Sequence, residues 1–331
     1  MEQLEMGHGF DFDFAVTAPF RMQPGLRRRS PQAPLLNPSV PRQTPALAEK
    51  LRVLRHHGCD ALLSADGFDA GPALDALIDR VAGDHPDALR RCAGRGIEAP
   101  RLGWAVSDGQ ARPMTCRAGA ADDVEPDAIG AVLAGLPARW RLPALLALSV
   151  EEDLAIVDGA GGTVPWLAVC LPSFWSPRDK IGRHFAQIHQ PVADGQLLRA
   201  AGDHLMRLVS GADHWERFGW TVTPHPRLAA DPRHDPRPAW RGGTPDQLAG
   251  QAWFRTEHQV FLPVPGRMQA VFTIRVALRP LADAIDTPAR AQRLHEALAS
   301  MSDAVLDYRG LAPARDRLIA WLERQAGPGS R

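Results

Sequence analysis

The order of the predicted elements indicates an α+β fold, and three observations support that prediction. Helical spacing of apolar residues dominates the first half of the chain. A hairpin pattern, DLAIVD–GAGG–TVPWLAVCLP, follows it, and two long alternating segments, WFRTEHQVFL and MQAVFTIRVAL, come later. Because helices and strands occur in blocks, the chain lacks the strand–helix–strand alternation of a doubly wound parallel sheet.

The N-terminal half predicts an arm followed by a helical part. Residues 1–45 are rich in proline and are expected to form an extended arm, whereas 46–150 are expected to pack as helices on a core formed by 151–331. Thr44 and Pro45 suit the start of a helix, as an N-cap and a first helical residue. Further helices are predicted at Pro72–Val81, Asp127–Leu133 and Pro143–Leu148, with an irregular stretch at Arg101–Asp123.

The second half supplies the strands. RFGWTV at 217–222 predicts a strand, and residues 223–250, rich in Pro, Asp and Gly, predict a loop. The two long segments are joined by PVPGR and predict a second antiparallel pair. Helices at Pro288–Met301 and Ala312–Arg324 close the chain.

Composition excludes several classes of partner. Lys plus Arg and Asp plus Glu number 38 each, which argues against nucleic acid or an anionic membrane as the main partner. No apolar run approaches the roughly 20 residues of a membrane span, and the acidic start MEQLEMGHGF is not a signal peptide. Four scattered cysteines, Cys116 among them, show no disulfide or zinc spacing, so we expect a cytoplasmic protein.

One histidine stands out in RDKIGRHFAQIHQP, which is predicted to be a helix ending before its last proline. Ile181, Phe185, Ile188 and His189 share a stripe, so His189 faces the core in the last turn. His184 lies on another side and is expected to face solvent. His189 is either a core histidine bonded to a carbonyl or the single protein ligand of a haem iron in an apolar cleft. Structural zinc requires more ligands than this stretch offers.

The long strands each carry one polar face. Arg255, Glu257 and Gln259 share a face of the first, and Arg275 lies on the polar face of the second. These side chains fit either of two arrangements. They can form cross-strand ion pairs on a half-exposed sheet, or they can form the wall of a pocket in which the arginines bind carboxylates of a ligand and Glu257 binds a cation or an amine. His258 lies on the apolar face and competes with His189 as an iron ligand.

Several motifs resemble the haem-dependent oxidative N-demethylase family. The similarity runs over roughly residues 20–325 in a fixed order. The matching motifs are Pro172-Ser173-Phe174-Trp175, Lys180-Ile181-Gly182, Ile188-His189-Gln190-Pro191-Val192, Arg217-Phe218-Gly219-Trp220, Arg255-Thr256-Glu257-His258-Gln259 and Phe272-Thr273-Ile274-Arg275.

The resemblance implies a PAS-like antiparallel sheet with flanking helices that enclose a haem b cleft. It implies oxidation of a small N-methyl amine by O2 with release of formaldehyde, using electrons from a separate flavin/iron–sulfur reductase. His189 would be the proximal ligand, and Glu257 would pair with the substrate cation or relay protons. Arg217 and Arg255 are expected to be catalytic with Glu257, by shaping the distal side, or to anchor propionates. The expected cofactor-binding residues, besides His189, are Arg275, Lys180, Trp175 and Ile188.

The sequence also departs from the family pattern near the expected pocket. His258 replaces an arginine, which weakens it as a ligand, and Gly219 replaces an asparagine. Dimethylamine as substrate therefore does not follow from the resemblance. A biosynthetic haem enzyme with another substrate, a haem-based gas or redox sensor, and a subunit without haem remain alternatives. A homo-oligomer is compatible with every one of them.

Overall fold

The structure is a computed structural model that describes residues 10–92, 94, 96–114 and 125–327. It is an α+β protein with two antiparallel sheets, as predicted. The acidic chain start and Cys116 lie outside the described residues. The division into arm, helical part and core stays a prediction. No helix in the described ranges is long and apolar enough to cross a membrane.

The larger sheet has seven strands in the order β1-β9-β10-β11-β7-β8-β2, and the smaller has the order β3-β4-β5-β6. The strands are β1 (Arg27–Arg28), β2 (Leu62–Ser64), β3 (Arg90–Cys92), β4 (Gly96–Ala99), β5 (Trp104–Ser107), β6 (Gln110–Pro113), β7 (Asp153–Asp158), β8 (Thr163–Ala168), β9 (Trp215–Thr223), β10 (Trp253–Pro263) and β11 (Gln269–Pro280).

Thirteen α-helices occur in the described ranges, and a single 3-10 turn covers Pro177–Asp179. The helices are α1 (Phe12–Ala15), α2 (Pro45–Ala61), α3 (Gly71–Asp84), α4 (Glu125–Gly135), α5 (Ala138–Ser149), α6 (Phe185–Ile188), α7 (Gln196–Ala200), α8 (Gly202–Val209), α9 (Pro245–Ala249), α10 (Leu281–Ala284), α11 (Pro288–Ala299), α12 (Asp303–Arg309) and α13 (Arg315–Ala326).

A buried lysine joins the N-terminal helices to the large sheet. Lys50 of α2 is fully buried, and its Nζ donates to the carbonyls of Ala147, Val150 and Glu152 at 2.6 to 3.0 Å. These carbonyls belong to the end of α5 and the approach to β7, where a helix leaves acceptors without partners. The ammonium therefore satisfies the C-terminus of α5 and fixes α2 against the start of the sheet.

The stretch predicted to be irregular contains two of the four strands of the small sheet, β5 and β6, so the prediction was wrong there. Its residues 115–123 lie outside the described ranges. The strands of the small sheet are only three or four residues long, which is too short for alternation to be visible. A local signal was present, because Asp108-Gly109 is a dipeptide favoured in two-residue hairpin turns. Both residues have positive φ, 48° and 73°, and they join β5 to β6.

The continuous helix predicted over RDKIGRHFAQIHQP is also wrong. Gly182 has a φ of 68°, which a helix cannot contain, and the backbone there bonds to Val164 of β8 instead. Within the stretch only α6 is α-helical, and the first two residues of the stretch belong to the 3-10 turn. His184 caps the N-terminus of α6 by accepting the backbone N–H of Ala186. His184 Nε2 lies 3.0 Å from Asp203 at a half-exposed position.

The register of the large sheet decides which polar residues share a face. Glu257 of β10 lies opposite Gly219 of β9 and Val276 of β11, and Arg217 lies opposite Gln259. Arg217, Gly219, Glu257, Gln259 and Phe272 therefore point to one side, which we call the cavity face.

Candidate functional site

The cavity face of the large sheet borders a cavity of about 400 Å³. This volume is within the range found for small-molecule and cofactor sites. Helices α6 to α8 and the arm residues Met22–Leu26 cover the cavity, and β7 to β11 form its floor. Its apolar lining includes Leu26, Ala155, Val157, Val164, Leu167, Phe185, Ile188, Val192, Leu198, Leu205, Met206, Val209, Phe261, Phe272 and Ile274.

His189 lines this cavity with one ring nitrogen fixed by the protein. The residue is the C-cap of α6, and its Nδ1 lies 2.8 Å from the carbonyl oxygen of Phe185. That contact requires Nδ1 to carry the proton, so Nε2 holds the lone pair. Nε2 has no hydrogen-bond partner within the described part of the chain. The Phe185 ring packs on the imidazole with centroids 4.0 Å apart.

Burial keeps the His189 imidazole neutral. It lowers the pKa of His189 to about 4, although the bond to Phe185 works in the other direction. The positive charges of Arg217, Lys180 and Arg199 lower the pKa further. A neutral imidazole with Nδ1 donated to a carbonyl is the usual state of a histidine that ligates a metal through Nε2.

Glu257 is the acidic group of the cavity. It projects from the middle of β10 and accepts a short hydrogen bond from Nε2 of Gln259. Across the strand pair lies Gly219, where a Cβ would be 3.7 Å from Glu257. The glycine leaves room beside the carboxylate, so Glu257 can reach a small molecule.

Arg217 presents an unsatisfied buried donor. Its Nε has no hydrogen-bond partner within the described ranges. Burial lowers the pKa of its guanidinium, and the charge of Glu257 opposes that shift. Buried polar groups are nearly always paired, so an unpaired guanidinium in a cavity wall is suited to an anionic ligand.

Arg255 lines the cavity, but most of its N–H donors already form hydrogen bonds with other residues of the protein. The side chain is 1% exposed and donates to Ser173 Oγ at 2.7 Å and to the carbonyls of Arg227 and Leu228 at 3.0 and 2.7 Å. Longer contacts reach two further carbonyls. These bonds join two loops behind the cavity, which is the geometry of a positioning residue and not of a group free to react.

Arg275 and His258 lie on the opposite face of the sheet, paired across β10 and β11. Arg275 forms an ion pair with Glu151 at 2.7 Å, and His258 Nε2 lies 2.8 Å from Glu216. Neither lines the cavity. The expected role of Arg275 at the cofactor is therefore corrected, as is the competition of His258 with His189, because the register turns both side chains away.

The other expected residues do line the cavity. Lys180 Nζ donates to the carbonyl of Ile188 at 3.0 Å, and burial lowers the pKa of Lys180. Trp175 packs against the apolar cluster of Ala155, Leu167 and Val169. The structure thus brings Trp175, Lys180, Ile188, His189, Arg217, Arg255 and Glu257 to one cavity.

Among the lining residues that sequence reasoning did not assign to the site are Phe174, Arg237, Tyr308 and Arg309. Phe174 has a φ of 64°, a costly backbone conformation that is frequent at functional sites. Its ring lies 4.1 Å from the Arg237 guanidinium. Tyr308 is the sole tyrosine of the chain, which was a visible hint. No sequence signal places Arg237 or Arg309 near the strands.

A second cluster of potential metal ligands lies outside the cavity. Ring nitrogens of His57 and His234 and an oxygen of Asp60 lie within 4.8 Å of one another. Asp60, however, is already bonded to Arg178 and to His234 Nε2. The two imidazoles are stacked, with centroids 3.8 Å apart. The cluster is therefore accounted for by contacts among its own side chains.

One comparison with known families covers the part of the chain that carries this site. A family model described as haem-dependent oxidative N-demethylase, alpha subunit-like, matches residues 138–319, more than half of the chain. The matched range contains α5 to α12 and all five strands of the cavity floor. It therefore includes His189, Arg217 and Glu257. The chain belongs to the haem-dependent oxidative N-demethylase, alpha subunit-like family.

Proposed function

We propose that this protein is a haem-dependent oxidase of N-methylated amines, with His189 as the proximal ligand of haem b. The observation that carries the proposal is the His189 imidazole, which lines the cavity. Its Nδ1 is held by the Phe185 carbonyl, and its Nε2 has no hydrogen-bond partner among the residues that the structure describes. By family resemblance, the antiparallel sheet and its covering helices form a PAS-like haem cleft.

The residues present fit such a group. Haem needs one protein ligand, an apolar cleft and cations for its two propionates. Lys180 and Arg217 would hold the propionates, because both charges act on His189 and Arg217 has an unsatisfied buried donor. Ile188 and Trp175 would pack against the porphyrin. Arg255 would act indirectly, by holding the Ser173 loop in place.

The proposed reaction is oxidative N-demethylation, in which haem supplies the centre that activates O2. One oxygen atom enters a C–H bond of the N-methyl group and the other leaves as water. Two electrons come from a separate flavin/iron–sulfur reductase, and two protons come from solvent. The hydroxymethyl amine then breaks its C–N bond, which yields formaldehyde and the demethylated amine. The family's alpha-subunit description fits a protein that works with such partners.

Glu257 would bind and orient the amine. Gln259 holds the carboxylate on the cavity face, and Gly219 leaves space beside it. A carboxylate in a site of low dielectric attracts an ammonium more strongly than water allows. Phe261, Phe272 and Ile274 would exclude water around the methyl group.

Absorption spectroscopy of purified, haem-loaded protein tests the cofactor. We expect a stoichiometric Soret band that shifts after reduction and addition of carbon monoxide. His189→Ala should lose the band, whereas His258→Ala and the exposed control His204→Ala should keep it. Full, tightly bound haem in His189→Ala would refute the ligand assignment, and absence of haem uptake by the folded wild type would refute the function.

Formaldehyde release tests the role of Glu257. Glu257→Gln keeps the shape and removes the charge, so we expect normal haem content with formation of formaldehyde reduced at least about a hundredfold, in line with loss of a charged orienting group. Glu323→Gln, which neutralises an exposed carboxylate outside the cavity, serves as the matched control. Turnover like the wild type in Glu257→Gln would remove this residue from the mechanism.

A further inference from the structure

The cavity has a second polar end, away from His189. Along the strands, Arg217 opposes Gln259, Gly219 opposes Glu257, and Thr221 opposes Arg255. Glu257 therefore lies between the Arg217 end, whose charge acts on His189, and the Arg255 end. Phe174 marks the Arg255 end, since its ring lies 5.7 Å from that guanidinium.

Two further guanidinium groups and a phenol line this second end. Arg237 lies over Phe174 at 4.1 Å. Arg309 donates to the carbonyl of Trp220 at 2.6 Å and lies over the rings of Phe20 and Trp220. Tyr308 precedes Arg309, and its side chain is exposed enough, at 44%, to connect this end with solvent.

In the described ranges, no Asp or Glu oxygen lies within 4.0 Å of a guanidinium nitrogen of Arg237 or Arg309. Burial lowers the pKa of both groups, for Arg309 to about 10. A buried charge without a counter-charge is costly to the folded protein. Arg237 and Arg309 are both half-buried in the cavity wall, and this placement suits a negatively charged ligand.

The balance of charge along the lining supports the same conclusion. The cations that line the cavity in the described chain are Lys180, Arg217, Arg237, Arg255 and Arg309. Glu257 is the one carboxylate there, so even with two haem propionates five positive charges meet three negative ones. A simple amine would add another positive charge to this excess. A substrate that also carries a carboxylate would reduce it.

We propose that Arg237 and Arg309, with Tyr308, form a carboxylate subsite, and that the substrate is an N-methyl amine that bears a carboxylate. Its ammonium lies at Glu257 and its carboxylate at the guanidinium forks, whose planar donors match that group. This inference relies on the proposed function for the amine end, whereas the subsite itself depends only on side chains of this chain.

Calorimetric titration with N-methylglycine, 4-(methylamino)butanoate and dimethylamine tests the subsite. We expect the haem-loaded protein to bind at least one carboxylated probe at least about tenfold more tightly than dimethylamine, as for a charge-assisted contact. Arg237→Met and Arg309→Met should each weaken that probe at least about tenfold and leave dimethylamine within about twofold. Arg309→Lys should restore part of the affinity. The exposed Arg207→Met is the matched control.

Haem content of the same variants separates the alternative roles. If Arg237→Met and Arg309→Met lose haem but bind the probe as the wild type does, these arginines hold propionates and the subsite is refuted. Equal affinity for the carboxylated probes and dimethylamine refutes it as well. The titration is repeated on haem-free protein. Carboxylate-dependent binding in a protein that takes up no haem would support the subsite and refute the proposed function, so the two failures are distinguishable.

Discussion

Replacement of Arg255 by methionine should lower the free energy of unfolding of the protein, in addition to any effect on catalysis. The change keeps much of the side-chain volume but removes every donor from a side chain that is 1% exposed. Ser173 Oγ and the carbonyls of Arg227 and Leu228 would then lose bonds of 2.7 to 3.0 Å.

The expected loss follows from the cost of leaving these acceptors unpaired. Each buried unsatisfied group costs about 1–3 kcal/mol, and carbonyls with a second acceptor direction recover part of it. We therefore expect Arg255→Met to lower the free energy of unfolding by about 3–5 kcal/mol. Arg255→Lys keeps the charge with fewer, less directed donors and should lose about half as much.

Equilibrium urea unfolding of the haem-free protein, followed by tryptophan fluorescence, measures this loss. The control Arg324→Met removes a surface ion pair with Asp246 and should cost at most about 1 kcal/mol. Comparable slopes among variants are needed for the comparison. If Arg255→Met unfolds within about 1 kcal/mol of the wild type, the positioning role is wrong. If it instead loses haem or turnover at full stability, Arg255 acts directly at the site.

Three further predictions concern pH and cavity shape. Burial raises the pKa of Glu216, but hydrogen bonds from His258 and Arg27 outweigh it and bring that pKa to about 2, below the ordinary 4.5. The ionised Glu216 therefore stabilises the fold above pH 4.5, and this stabilisation is lost as pH falls toward 2. The unfolding free energy of Glu216→Gln should change less between pH 4.5 and 2 than that of the wild type. The same dependence on pH in both proteins would contradict this prediction. The pKa of His189 is lowered to about 4 from 6.5, so the haem-free protein should lose stability as pH falls from 6.5 to 4. His189→Gln should lose less stability over the same range. An equal dependence of the unfolding free energy on pH in both proteins would argue against a buried neutral imidazole. Gly219→Asn should fold normally, because its Cβ would lie at an ordinary contact distance, 3.7 Å, from Glu257. Calorimetry should show that it weakens the binding of 4-(methylamino)butanoate more than the binding of dimethylamine. An unchanged ratio of the two affinities would show that the substrate does not use this space.

The sequence by itself determined the class of fold and the faces of individual strands. Helix starts such as Thr44-Pro45 and the hairpin after Glu152 depend on local propensity and turn chemistry, which a few neighbouring residues specify. The alternation that groups Arg255 with Glu257 is a property of the strand alone. His189 could likewise be singled out as a candidate ligand from the sequence, because the motif that contains it is contiguous.

Only the tertiary structure decided which faces meet. Register relates residues on different strands, and a shift by one residue exchanges the two faces of a strand. The polar face of β10 consequently pairs with the apolar face of β11, so Arg275 turns away from Glu257. Arg237 and Arg309 reach the cavity from a loop and from α12, through contacts between residues far apart in the chain. Such contacts depend on how the whole molecule packs, and no local pattern records them.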